Sequence, residues 1–193
     1  MKKRMAKKKD KPLYDENGRW VEERGRVKGA VRRTFRLSPQ MKEILQAARV
    51  ELPPALKKDG TPGKKNRVRY RCAMCGELFS QKNVNVDHIS TVVPLWKREK
   101  DMTYDEIVRG VFCEKSNLQV LCSTPLVRNE GKSSCHKKKT DEEKYIRKKL
   151  LAAINAGNPF VEDNPLVIAD IKKEYQEELK LKEEKKNARK RKN

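Results

Sequence analysis

His88 and His136 are the only two histidines of the chain, and each stands beside a residue that can work with it. His88 follows Asp87 in Val86-Asp87-His88-Ile89, and His136 directly follows Cys135. Four of the five cysteines bracket the same stretch, Cys72 and Cys75 before it and Cys122 and Cys135 after it, with Asn117 between the histidines. Hydrolysis of a phosphodiester needs a base to take a proton from water, a cation to neutralise the phosphate, and stabilisation of the departing oxygen. An imidazole suits the first task and a divalent ion the other two. Asp87 and His136 are one plausible ligand pair, a carboxylate oxygen with an imidazole nitrogen, leaving positions open for water and phosphate. Neighbours on a regular strand point to opposite faces, so Asp87 and His88 must sit where a strand ends or bends if both address one phosphate. An isolated Asp-His pair is usually a surface turn. The joint pattern of both histidines, Asn117 and the cysteines is much harder to obtain by coincidence.

Cys72-Ala-Met-Cys75-Gly76 has the form of a zinc knuckle, with Gly76 relaxing the turn after the second ligand. With Cys122 and Cys135 it can supply four thiolates, the set for a closed tetrahedral structural zinc site. Twelve residues separate Cys122 from Cys135, so the second pair lacks knuckle spacing and its insertion would protrude as a loop. The competing reading makes Cys122 and Cys135 small buried hydrophobes, but packing explains Cys72-x2-Cys75 poorly. Cys113 is left over as a core residue, and is the replacement ligand if Cys135 is badly placed. An odd cysteine count, and a basic start with no apolar run behind it, lead us to expect an intracellular, reducing setting.

The elements that must position these groups come from a chain with a formal charge of +21, 36% hydrophobic and 39% charged. The core must be small for this length, and small cores need staples such as zinc. A surplus of this size marks a polyanionic partner, nucleic acid, more often than mere solvation. A membrane is the weaker alternative, because no basic helix carries a broad apolar face and no stretch approaches the ~20 apolar residues of a span.

Residues 1–11 hold seven Lys/Arg against one acid and read as a disordered arm that can lie along phosphates. Residues 12–37 interleave apolar side chains with bases, including Arg32 and Arg33, and either hug the domain or face nucleic acid. Ser38-Pro39 opens a short amphipathic helix to about Val50, and residues 55–67 form a basic loop. Strands are expected at 67–71, 84–88 and 118–121, and a capping box, Thr103 with Glu106, starts a brief helix ending near Phe112. Ser134 caps a short helix beginning with Cys135 and His136, and Thr140 with Glu143 caps a longer one ending at Gly157. Asn164-Pro165 opens a last helix, which frays into a basic tail from Lys180 onward, where eight Lys/Arg face two acids.

The order Cys-x2-Cys, Asp-His-Ile, Asn-Leu-x2-Leu-Cys, Cys-His-Lys-x-Lys-Thr resembles the HNH (His-Me finger, ββα-metal) endonucleases, in particular the zinc-bearing kind of phages and mobile elements. The resemblance covers about residues 66–140. It implies an α+β fold: a small ββα-metal core with a four-cysteine zinc clamp, flanked by helices and basic arms. It implies metal-dependent hydrolysis of DNA with His88 as general base. Asp87 and His136 would hold one catalytic divalent ion (Mg²⁺ or Mn²⁺), and Asn117 would brace the loop and orient His88; in some relatives that Asn binds the metal directly. Lys137 and Lys139 would contact the phosphate backbone, as would Arg32 and Arg33 from the charge pattern. The organisation expected is a basic arm (1–37), a helix and basic linker (38–65), the nuclease domain (66–158), and an amphipathic helix with a basic tail (159–193). A phage or homing-type enzyme in a bacterial cytoplasm fits, with DNA and no membrane as partner. Phosphate contacts carry no base identity, so a recruiting protein could supply specificity. The other classes in play are a non-catalytic zinc-bearing nucleic-acid-binding protein and a ribonuclease.

Charge alone yields one expectation. Affinity for DNA should fall steeply as salt rises, because bound phosphates release counterions. A flat response in a salt titration of fluorescence anisotropy would count against the basic arms as phosphate binders.

Overall fold

A computed structural model of the chain describes residues 23–125, 133–158, 161 and 163–191. The fold is mixed α+β. Its elements are α1 (Glu23–Phe35), α2 (Pro39–Ala47), β1 (Arg49–Leu52), β2 (Arg67–Arg71), β3 (Leu78–Phe79), β4 (Val84–His88), α3 (Tyr104–Val111), β5 (Leu118–Cys122), α4 (Cys135–Asn155) and α5 (Pro165–Arg191). The strands form two antiparallel sheets, one ordered β1-β2-β3 and the other β4-β5. The arm at 1–22 lies outside the described residues, as does most of the insertion between Cys122 and Cys135. No helix among the described residues is long and apolar enough to cross a membrane.

Local chemistry sets most boundaries. Ser38 caps α2 by accepting the Met41 N–H at 3.3 Å, and Pro39, which has no N–H to lose, takes the first helical position. Thr103 and Glu106 form the full capping box of α3. Asn164 Oδ1 accepts the Leu166 N–H at 3.1 Å at the start of α5. β4 and β5 pair from Val84↔Cys122 to His88↔Leu118, so the strand ending in His88 runs beside the strand that ends in a cysteine.

Four expectations need correction. α2 does not reach Val50: it ends at Ala47, and Arg49–Leu52 pair with β2, from Arg49↔Tyr70 to Leu52↔Arg67. β-Branched Val50 gains more from the ladder than from another helical turn. The two helices expected after Ser134 are one. Ser134 caps it through the Lys137 N–H at 3.3 Å, and the Thr140 hydroxyl, inside the helix, donates to the His136 carbonyl at 2.8 Å. Neither Gly nor Pro interrupts residues 135–155. For the same reason α5 continues to Arg191 instead of fraying after Lys180, and a Glu178–Lys182 pair at 3.0 Å supports the turn there. Finally, the span read as a basic arm contains α1, whose Phe35 is buried among Met102, Ile107, Val111 and Leu118.

Three apolar clusters hold these parts together. One joins both sheets around Tyr70, Phe79, Val120 and Leu121 and includes Cys72, Cys122 and Cys135. A second packs α1 and α2 on α3. The third seats α5 on α4, through Ile168 and Ile171 against Ile146 and Leu150, and takes in Leu95 and Trp96. The irregular segment after β4 reaches α3 closely, since a Cβ on Gly110 would come within 2.9 Å of the Val92 carbonyl oxygen.

Arg147 of α4 ties that segment down. Its guanidinium donates to the carbonyls of Val93 at 2.8 Å, Pro94 at 2.9 Å and Lys97 at 3.0 Å. Arg147→Met removes all three bonds while keeping most of the aliphatic stem. It is expected to cost about 1.5–3 kcal/mol and to speed hydrogen exchange in residues 92–98, with α5 unaffected.

Candidate functional site

Cys72, Cys75, Cys122 and Cys135 bring their sulfur atoms within 4.8 Å of one another. β2 delivers Cys72, a turn closed by the Gly76 N–H on the Cys72 carbonyl at 2.9 Å delivers Cys75, β5 ends in Cys122, and α4 begins with Cys135. The turn needs Gly76 because φ there is 72°, a conformation that L side chains rarely adopt. The Ala73 N–H donates to the Val120 carbonyl at 2.8 Å and binds the knuckle to β5.

Two backbone donors point at sulfur: the Cys122 N–H at Cys72 Sγ (3.4 Å) and the Cys135 N–H at Cys122 Sγ (3.2 Å). Burial pushes the Cys72 thiol up, but the N–H groups of Cys75, Cys122 and Met74 outweigh it and bring it below the ordinary thiol value. Burial drives the thiols of Cys75, Cys122 and Cys135 upward, and a neighbouring Cys72 thiolate adds to this. One thiolate is favoured and the next are resisted, a balance that a divalent cation at the centre would reverse. The donor set and spacing fit a metal ion. Cys113 stands apart, half-buried against the α1–α3 cluster.

His88 closes β4, where the chain bends at Ile89 and Ser90. The bend lets Asp87 and His88 line the same cavities although they are strand neighbours. Asn117 secures it. Its backbone carbonyl accepts the Ile89 N–H at 2.8 Å, its side-chain oxygen accepts the Ser90 N–H at 2.7 Å, and its amide donates to the Ser90 carbonyl at 3.3 Å. The His88 Nε2 lies 3.1 Å from the Val111 carbonyl oxygen. A carbonyl only accepts, so this contact is a hydrogen bond in the tautomer with the proton on Nε2, which places the lone pair on Nδ1. His136, in the first turn of α4, lines one of these cavities together with Asp87 and His88.

The charges around this centre are mixed. Arg32 lines both cavities that contain Asp87 and His88, whereas Arg33 is exposed on α1. Arg98, Arg147, Glu99 and Glu143 join the wall of one of them. Lys137 is exposed and pairs with Asp141 at 2.9 Å. Lys139 does not extend outward toward a backbone. Its ammonium, with the side chain 13% exposed, pairs with Glu143 and lies 3.2 Å from Asp87 Oδ2. Burial alone would pull this lysine down, but Glu143 and Asp87 outweigh it and hold the ammonium above its usual value. Glu143 escaped the sequence reading as a site residue, yet it lies four residues after Lys139 and seven after His136, the spacing of one helix face.

No family model, no curated protein and no solved structure matches the chain. The site therefore stands on its own geometry.

The cluster makes a clear expectation. Purified protein should carry one divalent metal ion per chain by elemental analysis. Cys75→Ser or Cys135→Ser should lose the ion and lower the melting temperature, while Cys113→Ser keeps both. Full metal content in Cys135→Ser would remove that residue from the ligand set.

Proposed function

We propose that this chain is an HNH (ββα-metal) endonuclease of the phage or homing type, hydrolysing DNA phosphodiester bonds with His88 as general base. The observation that carries the reading is the convergence of Asp87, His88 and His136 on one cavity, delivered by β4 and by α4, which follows β5. Strand, long excursion, strand and helix occur in the order that this class would require. The four-cysteine cluster is suited to a structural zinc ion, which prefers four tetrahedral thiolates.

With Nε2–H donating to the Val111 carbonyl, His88 Nδ1 is unprotonated and takes a proton from water as the water attacks phosphorus. Asn117 holds the bend that aims His88, through its bonds to Ser90. Asp87 and His136 offer one carboxylate and one imidazole on a shared cavity, a fit for Mg²⁺ or Mn²⁺. When bound, such an ion neutralises phosphate charge and stabilises the departing oxygen. Arg32 and Arg98 offer positive charge to flanking phosphates from the walls. The expected products carry 5′-phosphate and 3′-hydroxyl ends.

A non-catalytic zinc-bearing nucleic-acid-binding protein is the second reading. The Lys139–Asp87 ion pair favours it, because it neutralises a carboxylate that the nuclease needs for its ion.

Supercoiled plasmid incubated with the full chain and Mg²⁺ or Mn²⁺ separates the two. Wild type should nick or cut, and His88→Ala should be slower by about a hundredfold or more with DNA affinity and zinc content kept. Equal cutting by both proteins would sink His88 as base. No cutting of plasmid, single-stranded DNA, branched DNA or RNA would favour the binding protein.

A further inference from the structure

Two groups that fix the His88 ring come from outside the β4–β5–α4 unit. Val111, the last residue of α3 and 1% exposed, presents its carbonyl to Nε2 at 3.1 Å. Phe35, the last residue of α1, lays its ring against the imidazole, with centroids 5.6 Å and planes 28° apart. Phe112 in turn meets Phe35 edge-on, with centroids 5.4 Å apart at 80°. A hydrogen bond at one nitrogen sets the direction of a ring edge but leaves the plane free to tilt. A stacked face removes that freedom.

We infer that Phe35 is a positioning residue for His88: its ring sets the plane of the imidazole while the Val111 carbonyl sets its edge, so that Nδ1 is presented in a single orientation. The inference deepens the proposed function and rests on His88 acting there as the base. The placement of α1 supports it independently of the stack. Arg32, three residues before Phe35 and on the same helix face, lines both cavities that contain Asp87 and His88. Lys28 pairs with Glu99, which lines one of those cavities, and so anchors the helix to the excursion between β4 and β5. α1 is therefore a wall of the reaction centre. A phenylalanine that merely filled core volume would tolerate exchange for leucine with a change in stability alone.

The test uses the full metal-loaded chain with ¹⁵N- and ¹³C-labelled histidine. With two imidazoles in the protein, His136→Gln assigns the signals. In wild type, His88 should be the Nε2–H tautomer, its ring protons should lie upfield, and they should show cross-relaxation to the Phe35 ring. Phe35→Leu should abolish the upfield shift and broaden the His88 ring signals as the plane is freed, while metal content is kept. It should also lower kcat for plasmid nicking about three- to tenfold at unchanged KM. Phe35→Tyr keeps an aromatic face and should retain the signature.

Absence of the Phe35 contact or the opposite tautomer in wild type would overturn the inference. So would a Phe35→Leu protein that melts earlier but keeps the His88 signals and kcat. If the leucine variant fails to fold, the wild-type spectrum decides by itself. If no form of the protein cuts nucleic acid, the nuclease reading fails while the spectrum still reports whether Phe35 holds His88.

Discussion

The closure of four cysteine sulfurs within 4.8 Å is the constraint on which the rest of the molecule hangs. Three separate stretches of chain meet there: the end of β2 with its turn, the end of β5, and the first residue of α4. β5 carries β4 through their paired register, and α4 carries His136 one residue beyond Cys135. Fixing the sulfurs therefore fixes Asp87 and His88 relative to His136. The apolar core could not do this unaided. Its first cluster counts three of the cysteines among its own buried members, so the clamp and the core are one object. A metal ion held by these sulfurs would staple a chain with so few apolar residues.

The electrostatics of the site follow a different logic from that of the whole. The protein carries a surplus of +21, yet its candidate centre gathers Asp87, Glu99 and Glu143. Carboxylates repel phosphates, and the same wall offsets them with Arg32, Arg98, Arg147 and Lys139. The pairing of Lys139 with Glu143 and Asp87 shows how tightly this compensation is drawn. Any cation that takes up Asp87 competes with that ammonium for the carboxylate.

Much of this was legible from residues alone, for reasons that can be stated. Ser38, Thr103, Ser134 and Asn164 announce helix starts because their side chains satisfy N–H groups that no earlier turn can reach. β2 and β4 show alternation in the sequence, whereas β5 reads as a short apolar run because its residues are buried on both faces. The grouping of the four cysteines followed from ligand chemistry even though the second pair lacks knuckle spacing. What escaped depended on partners distant in sequence. Val50 belongs to a strand only because β2 lies beside it. Phe35 follows Val27 and Val31 at intervals of four, but the intervening arginines mask the apolar stripe and its burial depends on α3. Lys139 reads in the sequence, with Lys137, as a contact to the phosphate backbone; the strand bearing Asp87 and the helix turn bearing Glu143 draw it inward.

The cysteines at both ends of the 123–134 stretch have a further consequence. Cys122 and Cys135 are each buried and bonded through the backbone of the clamp, so the distance between the ends of that stretch is set without reference to what lies between them. Closure entropy grows only logarithmically with length, each doubling costing about 0.6 kcal/mol. The segment is thus rooted at both ends in the four-cysteine cluster. Its length and sequence can therefore change at little entropic cost while Cys122 and Cys135 keep their places.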